Sequence, residues 1–96
     1  MDLSNYYVCY EVTALPQVIY AHLHRADNLP SIEDFQVPSG LDNLAIEVRI
    51  GLYDNQGFLL QMSSQLITAY KPTLLKALTV IPNRMIQSLI SEYSND

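Results

Sequence analysis

Four groups of side chains carry chemistry in this sequence. His22 and His24 stand one residue apart, the spacing at which a β-strand points two imidazoles the same way so that they can share one metal ion. On a helix the same pair lies about 200° apart and cannot share an ion. Asp27 is the nearest acid that could add a third ligand. Cys9 is a single thiol. As a nucleophile it needs a histidine base, and His22 or His24 reaches it only if residues 18–24 pair with the strand that holds it. Among strand formers such as Val8 and Tyr10, a small buried hydrophobe is its ordinary role. Glu33 and Asp34 are adjacent carboxylates without the D-x-D rhythm of a calcium loop, so docking of a basic partner suits them better than a cation. Finally, seven tyrosines are available either to pack a small sheet or to serve an interface with their apolar area and polar tip.

Other chemistries lack their residues. With three glycines there is no phosphate-cradling loop, and there is neither a Cys-x-x-Cys pair nor a nucleophile elbow. We therefore expect a protein that is not an enzyme and takes no cofactor and no metal. The net charge of −5 is segregated. Residues 27–47 hold Asp27, Glu33, Asp34, Asp42 and Glu47 without a lysine or arginine, whereas residues 71–91 hold Lys71, Lys76 and Arg84 without an acid. An acidic chain without a basic stripe is repelled by nucleic-acid phosphates and by anionic membranes, and it is steered toward a basic protein surface. No apolar run approaches the roughly 20 residues of a membrane span. The N-terminus also lacks a basic segment followed by an apolar one, and the lone cysteine closes no internal disulfide. The expected location is the cytoplasm.

These side chains must be positioned by a short list of elements. Ninety-six residues make a single domain, 1–96. The clearest pattern is a hairpin. Leu44, Ile46, Val48, Ile50 and Leu52 alternate with Ala45, Glu47, Arg49, Gly51 and Tyr53, Asp54–Gly57 supplies a turn, and Phe58–Ile67 returns. Gly51 inside a strand marks a bulge or a close approach. Residues 5–12 form a further strand, with Tyr6, Val8 and Tyr10 on one face and Tyr7, Cys9 and Glu11 on the other. Both faces are largely apolar, which suits a central strand or one covered in a dimer. Residues 13–29 read as a helix capped by Thr13, with Leu15, Val18, Ile19, His22 and Leu23 on one face; a strand over 18–24 is the alternative. Residues 27–43 read as a long loop with two prolines, where Ile32, Phe35, Val37 and Leu41 either pin the loop or are offered to a partner. Residues 73–81 are a short helix or a strand, and Pro82 opens an amphipathic helix with Met85, Ile86, Leu89, Ile90 and Tyr93 on one stripe.

The expected fold is α+β: a small antiparallel sheet of three to four strands around the hairpin, in the order β-α-β-β-α, with the C-terminal helix on one face. Glu47–Tyr53, Phe58–Gln61 and Pro82–Ser91, in that order, resemble the SecB-like chaperones. That resemblance implies a homo-oligomeric holdase that binds unfolded chains through exposed apolar grooves. From the residues themselves, the first expectation is an accessory protein of the inhibitor or immunity type, with a homodimer as one expected assembly. It docks a basic partner protein through Glu33, Asp34, Phe35, Asp42 and Tyr53.

Overall fold

The computed structural model describes residues 2–14, 17–31, 40 and 44–94. Four strands, β1 (Tyr6–Ala14), β2 (Gln17–Arg25), β3 (Ala45–Asp54) and β4 (Leu59–Thr68), are followed by one helix, α1 (Lys71–Ser94). The strands form one antiparallel sheet in the order β2-β1-β3-β4. The fold is α+β, built as expected on the hairpin β3–β4, with β1 as a central strand.

The even-numbered residues of β1 and β3 build the core. Val8, Tyr10 and Val12 lie beside Ile46, Val48, Ile50 and Leu52 on one face, and all are buried. Leu74, Leu78, Pro82, Met85, Ile86 and Leu89 of α1 cover them. These residues recur every three or four positions, so they form one apolar stripe along the helix, and the helix packs over β3 and β4.

Two expectations about elements are corrected. Residues 17–25 are a strand, not a helix, so the order is β-β-β-β-α. β1 has apolar residues on both faces and main-chain groups to satisfy on both sides, and β2 supplies its second ladder, pairing Val8 with His24 and Tyr10 with His22. The β-branched and aromatic run Val18-Ile19-Tyr20 suits that role. Nor does Pro82 open a new element, because α1 runs through it from Lys71 to Ser94. Pro82 has no N–H for the carbonyl of Leu78, yet its ring is fully buried against the sheet. At the next position, the Asn83 side-chain amide donates to the Thr79 carbonyl at 2.7 Å. Burial of a continuous stripe thus outweighs one missing helical bond.

The β3–β4 turn follows from its residue types. Asp54 Oδ1 accepts from the amides of Gln56 and Phe58, both at 2.9 Å, and Gly57 takes a φ of 87°. β2 and β3 both run antiparallel to β1, so they are parallel to each other and need a crossover connection. That connection leaves β2 on the helix face, where Ala26 is buried and Leu29 packs against the core.

Candidate functional site

The sheet has a second face that α1 does not cover, and its composition is set by register. Opposite Ile50 and Val48, β4 places Ser63 and Gln65 on the helix side, while Met62 and Leu66 fall on the open side. Leu52 pairs with Gln61 and Tyr53 with Leu59, so Leu60 is an extra residue in the return strand. A bulge inverts every later side chain relative to an unbroken alternation. The result is a strand in which Ile67 packs against the core while Met62, 43% exposed, and Leu66, 75% exposed, face away from it.

Across the open face the residues align in rows. Tyr7 pairs with Tyr53, and Cys9 lies between Leu23 and Gly51, which in turn faces Met62. Two small residues at the centre of that second row leave a hollow between Leu23 and Met62. Beside it, Tyr7, Cys9, Leu23, Tyr53, Asp54, Asn55 and Gly57 line an open groove of about 550 Å³. Gly51, expected to mark a bulge or a close backbone approach, is crowded instead by side chains. A Cβ built on it would stand 2.9 Å from the Tyr53 ring, 3.2 Å from the Met62 methyl and 3.3 Å from Leu59. Gly51→Val should therefore push Tyr53 and Met62 off the floor. The expected loss is about 1 kcal/mol of stability, read from urea midpoints, together with a shift of the Tyr53 ring resonances in NMR spectra.

Charge closes the apolar floor at one side. Arg49 lies 3.7 Å from Glu11 across the strands and 3.7 Å from Glu47 two residues away on its own strand. All three are solvent-accessible, so these pairs contribute little to stability. Two carboxylates against one guanidinium leave this margin acidic. Arg25, at the opposite edge, pairs with Asp27 at 3.2 Å.

Of the residues expected to dock a partner, Tyr53 lies in the groove, while Glu33, Asp34, Phe35 and Asp42 lie outside the described residues. Tyr7, Leu23, Leu59 and Met62 join Tyr53 on the same face. Sequence reading missed them as a group. Their signal was the pairing of 17–25 with β1 and the bulge at Leu60, neither of which residue types reveal.

The histidines occupy the other face. Because β2 is a strand, His22 and His24 point the same way, with ring centroids 5.9 Å apart and planes 26° from parallel; the helix expectation that separated them is overturned. They extend a cluster with Tyr10 and Tyr20, in which Tyr20 stands 4.6 Å from His22 and Tyr10 5.9 Å from His24. His24 Nε2 is buried without a hydrogen-bond partner. Pairing with β1 does bring these histidines beside the strand of Cys9, but the sheet itself separates them. Cys9 belongs to the open face and both imidazoles to the helix face. Among the described residues, no three His, Cys, Asp or Glu side chains come together as a metal site.

Burial raises the Tyr20 hydroxyl above its ordinary range and pushes Tyr10 up to about 12. A hydrogen bond with Tyr93 raises Tyr6 and ties the start of β1 to the end of α1. The tyrosines differ in location: Tyr10 packs in the core, while Tyr7 and Tyr53 line the open groove.

No helix among the described residues is long and apolar enough to cross a membrane. No family model matches the chain, and comparison with curated proteins and with solved structures finds no similar protein.

Proposed function

We propose that this chain is a non-catalytic, cytoplasmic accessory protein of the inhibitor or immunity type, and that it docks another protein on the open face of its sheet. The observation that supports this most is the inversion of β4. Met62 and Leu66 face solvent while Gln61, Ser63 and Gln65 face the helix side. Tyr7, Tyr53, Cys9, Leu23 and Met62 form an apolar floor bounded by the Glu11–Arg49 row, with Leu66 beyond that row beside Glu47, and an apolar face rimmed by charge is the signature of an interaction surface. Tyr7 and Tyr53 bring large apolar area with few rotatable bonds, as interface anchors do. The partner is a polypeptide whose apolar side chains enter the groove beside basic ones. The latter meet Glu11 and Glu47, and the acidic segment 27–43 adds Glu33, Asp34 and Asp42 to the same attraction.

The chain has no tryptophan, so a single tryptophan in a peptide reports binding without background. An extended peptide alternating leucine and lysine should bind, and Leu23→Asp combined with Tyr53→Ala should weaken it at least tenfold. Unchanged affinity in that double variant would sink the open-face reading. Charge reversal of Glu33, Asp34 and Asp42 tests the acidic segment separately, and equal affinity there would remove it from the interface.

A second reading is a SecB-like chaperone or assembly factor that binds apolar chain segments. It draws on the apolar row from Leu23 across Cys9 to Met62 and on the exposure of Leu66. Such a protein binds a reduced, carboxymethylated chain as well as it binds the leucine–lysine peptide. An accessory protein selective for a basic partner binds only the latter.

A further inference from the structure

Among the described residues the sheet ends in two edge strands without a further strand beside them, β2 and β4, and they differ in a way that bears on assembly. An exposed edge offers unpaired main-chain groups to any other strand, and folded proteins ordinarily defend it with charges, prolines or bulges. β2 carries His22, His24 and Arg25, and its pairing with β1 shifts register between Val12 and Thr13. β4 has far less defence. It is ten residues long, and the whole stretch 55–70 contains no Asp, Glu, Lys, Arg, His or Pro. Its one irregularity, at Leu60, lies near its start.

The pairing with β3 fixes which groups of β4 point outward. The Ala69 amide donates to the Leu44 carbonyl at 2.7 Å, immediately beyond the pair Ala45–Thr68. Hydrogen-bonded pairs alternate along an antiparallel ladder, so Gln61, Ser63, Gln65 and Ile67 spend their main-chain groups on β3. Met62, Ser64 and Leu66 turn theirs to the outer edge, whereas the Thr68 carbonyl already accepts from the Tyr70 amide at 2.7 Å. A two-fold axis normal to the sheet through Ser64 satisfies these groups with a second copy. Ser64 meets its own counterpart, and Met62 meets Leu66 of the other copy on both sides of the axis. Both pairs lie on the open face, where apolar cross-strand neighbours are favourable. A two-fold axis also brings each nearby residue close to its own copy, so a charge there faces an identical charge. Residues 55–70 put none there.

We propose that two copies of this chain pair antiparallel through β4, centred on Ser64, to form one continuous eight-stranded sheet. This assembly uses main-chain groups of β4, so it stands independently of the docking of a partner by side chains around Tyr53.

Light scattering should give twice the 10.9 kDa chain mass. Hydrogen exchange should protect the amides of Met62, Ser64 and Leu66 more strongly as concentration rises. Ser64 is exposed, so Ser64→Lys and Ser64→Glu leave the core intact, and unchanged circular dichroism checks this. Each variant alone should weaken dimerisation at least tenfold through like charges at the axis, and an equimolar mixture of the two should restore the dimer. A wild-type chain that stays monomeric from micromolar to submillimolar concentration would overturn the proposal. So would a Ser64→Lys variant that dimerises as tightly as wild type, or a mixture that fails to recover. If the β4 amides of a monomer become protected only when the leucine–lysine peptide is added, the occupant of the edge is a foreign strand, and self-pairing is wrong.

Discussion

Leu78→Ala is expected to lower the unfolding free energy by about 3 kcal/mol, while Leu23→Ala should change it by less than about 0.5 kcal/mol. The two residues are the same type in the same small protein. Leu78 is 0% exposed, at the centre of the α1 stripe, and Leu23 is 62% exposed on the open face. Truncating Leu78 removes buried methylenes and leaves a cavity between α1 and the sheet, which a close-packed core does not fill by relaxation. A domain of this size holds only about 5–15 kcal/mol in all, so the loss should appear as a large drop in urea midpoint. Equal losses for the two leucines would mean that Leu23 is covered in solution. Similarly small losses for both would mean that α1 does not lie on the sheet as described.

Alkaline titration should weaken the fold, with Tyr10 as the main cause. Burial, followed by the neighbouring Tyr20, raises its hydroxyl from 10.0 to about 12. The sign follows from proton counting. Below pH 10 both folded and unfolded chains keep this proton, so the stability is fully present. Between pH 10 and about 12 the unfolded chain releases the proton and the folded chain retains it. Stability falls across that window by about 2 kcal/mol. Tyr20, also raised by burial, acts in the same sense. Urea midpoints measured from just below pH 10 to pH 12 should decline in the wild type and decline much less in Tyr10→Phe. That variant keeps the ring in the core and removes the ionisable group. An equal slope in both proteins would show that Tyr10 is not the group responsible.

These two residues also mark how far residue types alone carry. The alternation Val8, Tyr10 and Ile46, Val48, Ile50, Leu52 is a local signal, and each of these residues lies in the core. The turn at Asp54–Gly57 is equally local, because an aspartate that accepts main-chain amides and a glycine at positive φ act within a few residues. The stripe Met85, Ile86 and Leu89 was legible for the same reason. Its extension back through Pro82 to Leu74 was not, because a proline weakens a helix locally and only contact with the sheet compensates. Residues 17–25 suit either element by propensity, and the unmet ladder of β1 decides for a strand.

What the sequence determined by itself was the hairpin, the apolar face of β3, the central character of β1 and the segregation of charge. Each depends on neighbours in the chain or on simple alternation. The tertiary structure alone decided which surface is left open. Pairing of β2 with β1 put Leu23 beside Cys9 and sent both histidines to the opposite face. One extra residue at Leu60 turned Met62, Ser64 and Leu66 outward and Gln61, Ser63 and Gln65 toward the helix side. A period of two has no memory of an inserted residue, so the face on which a strand shows its apolar side is settled by its partner's register and not by its own composition.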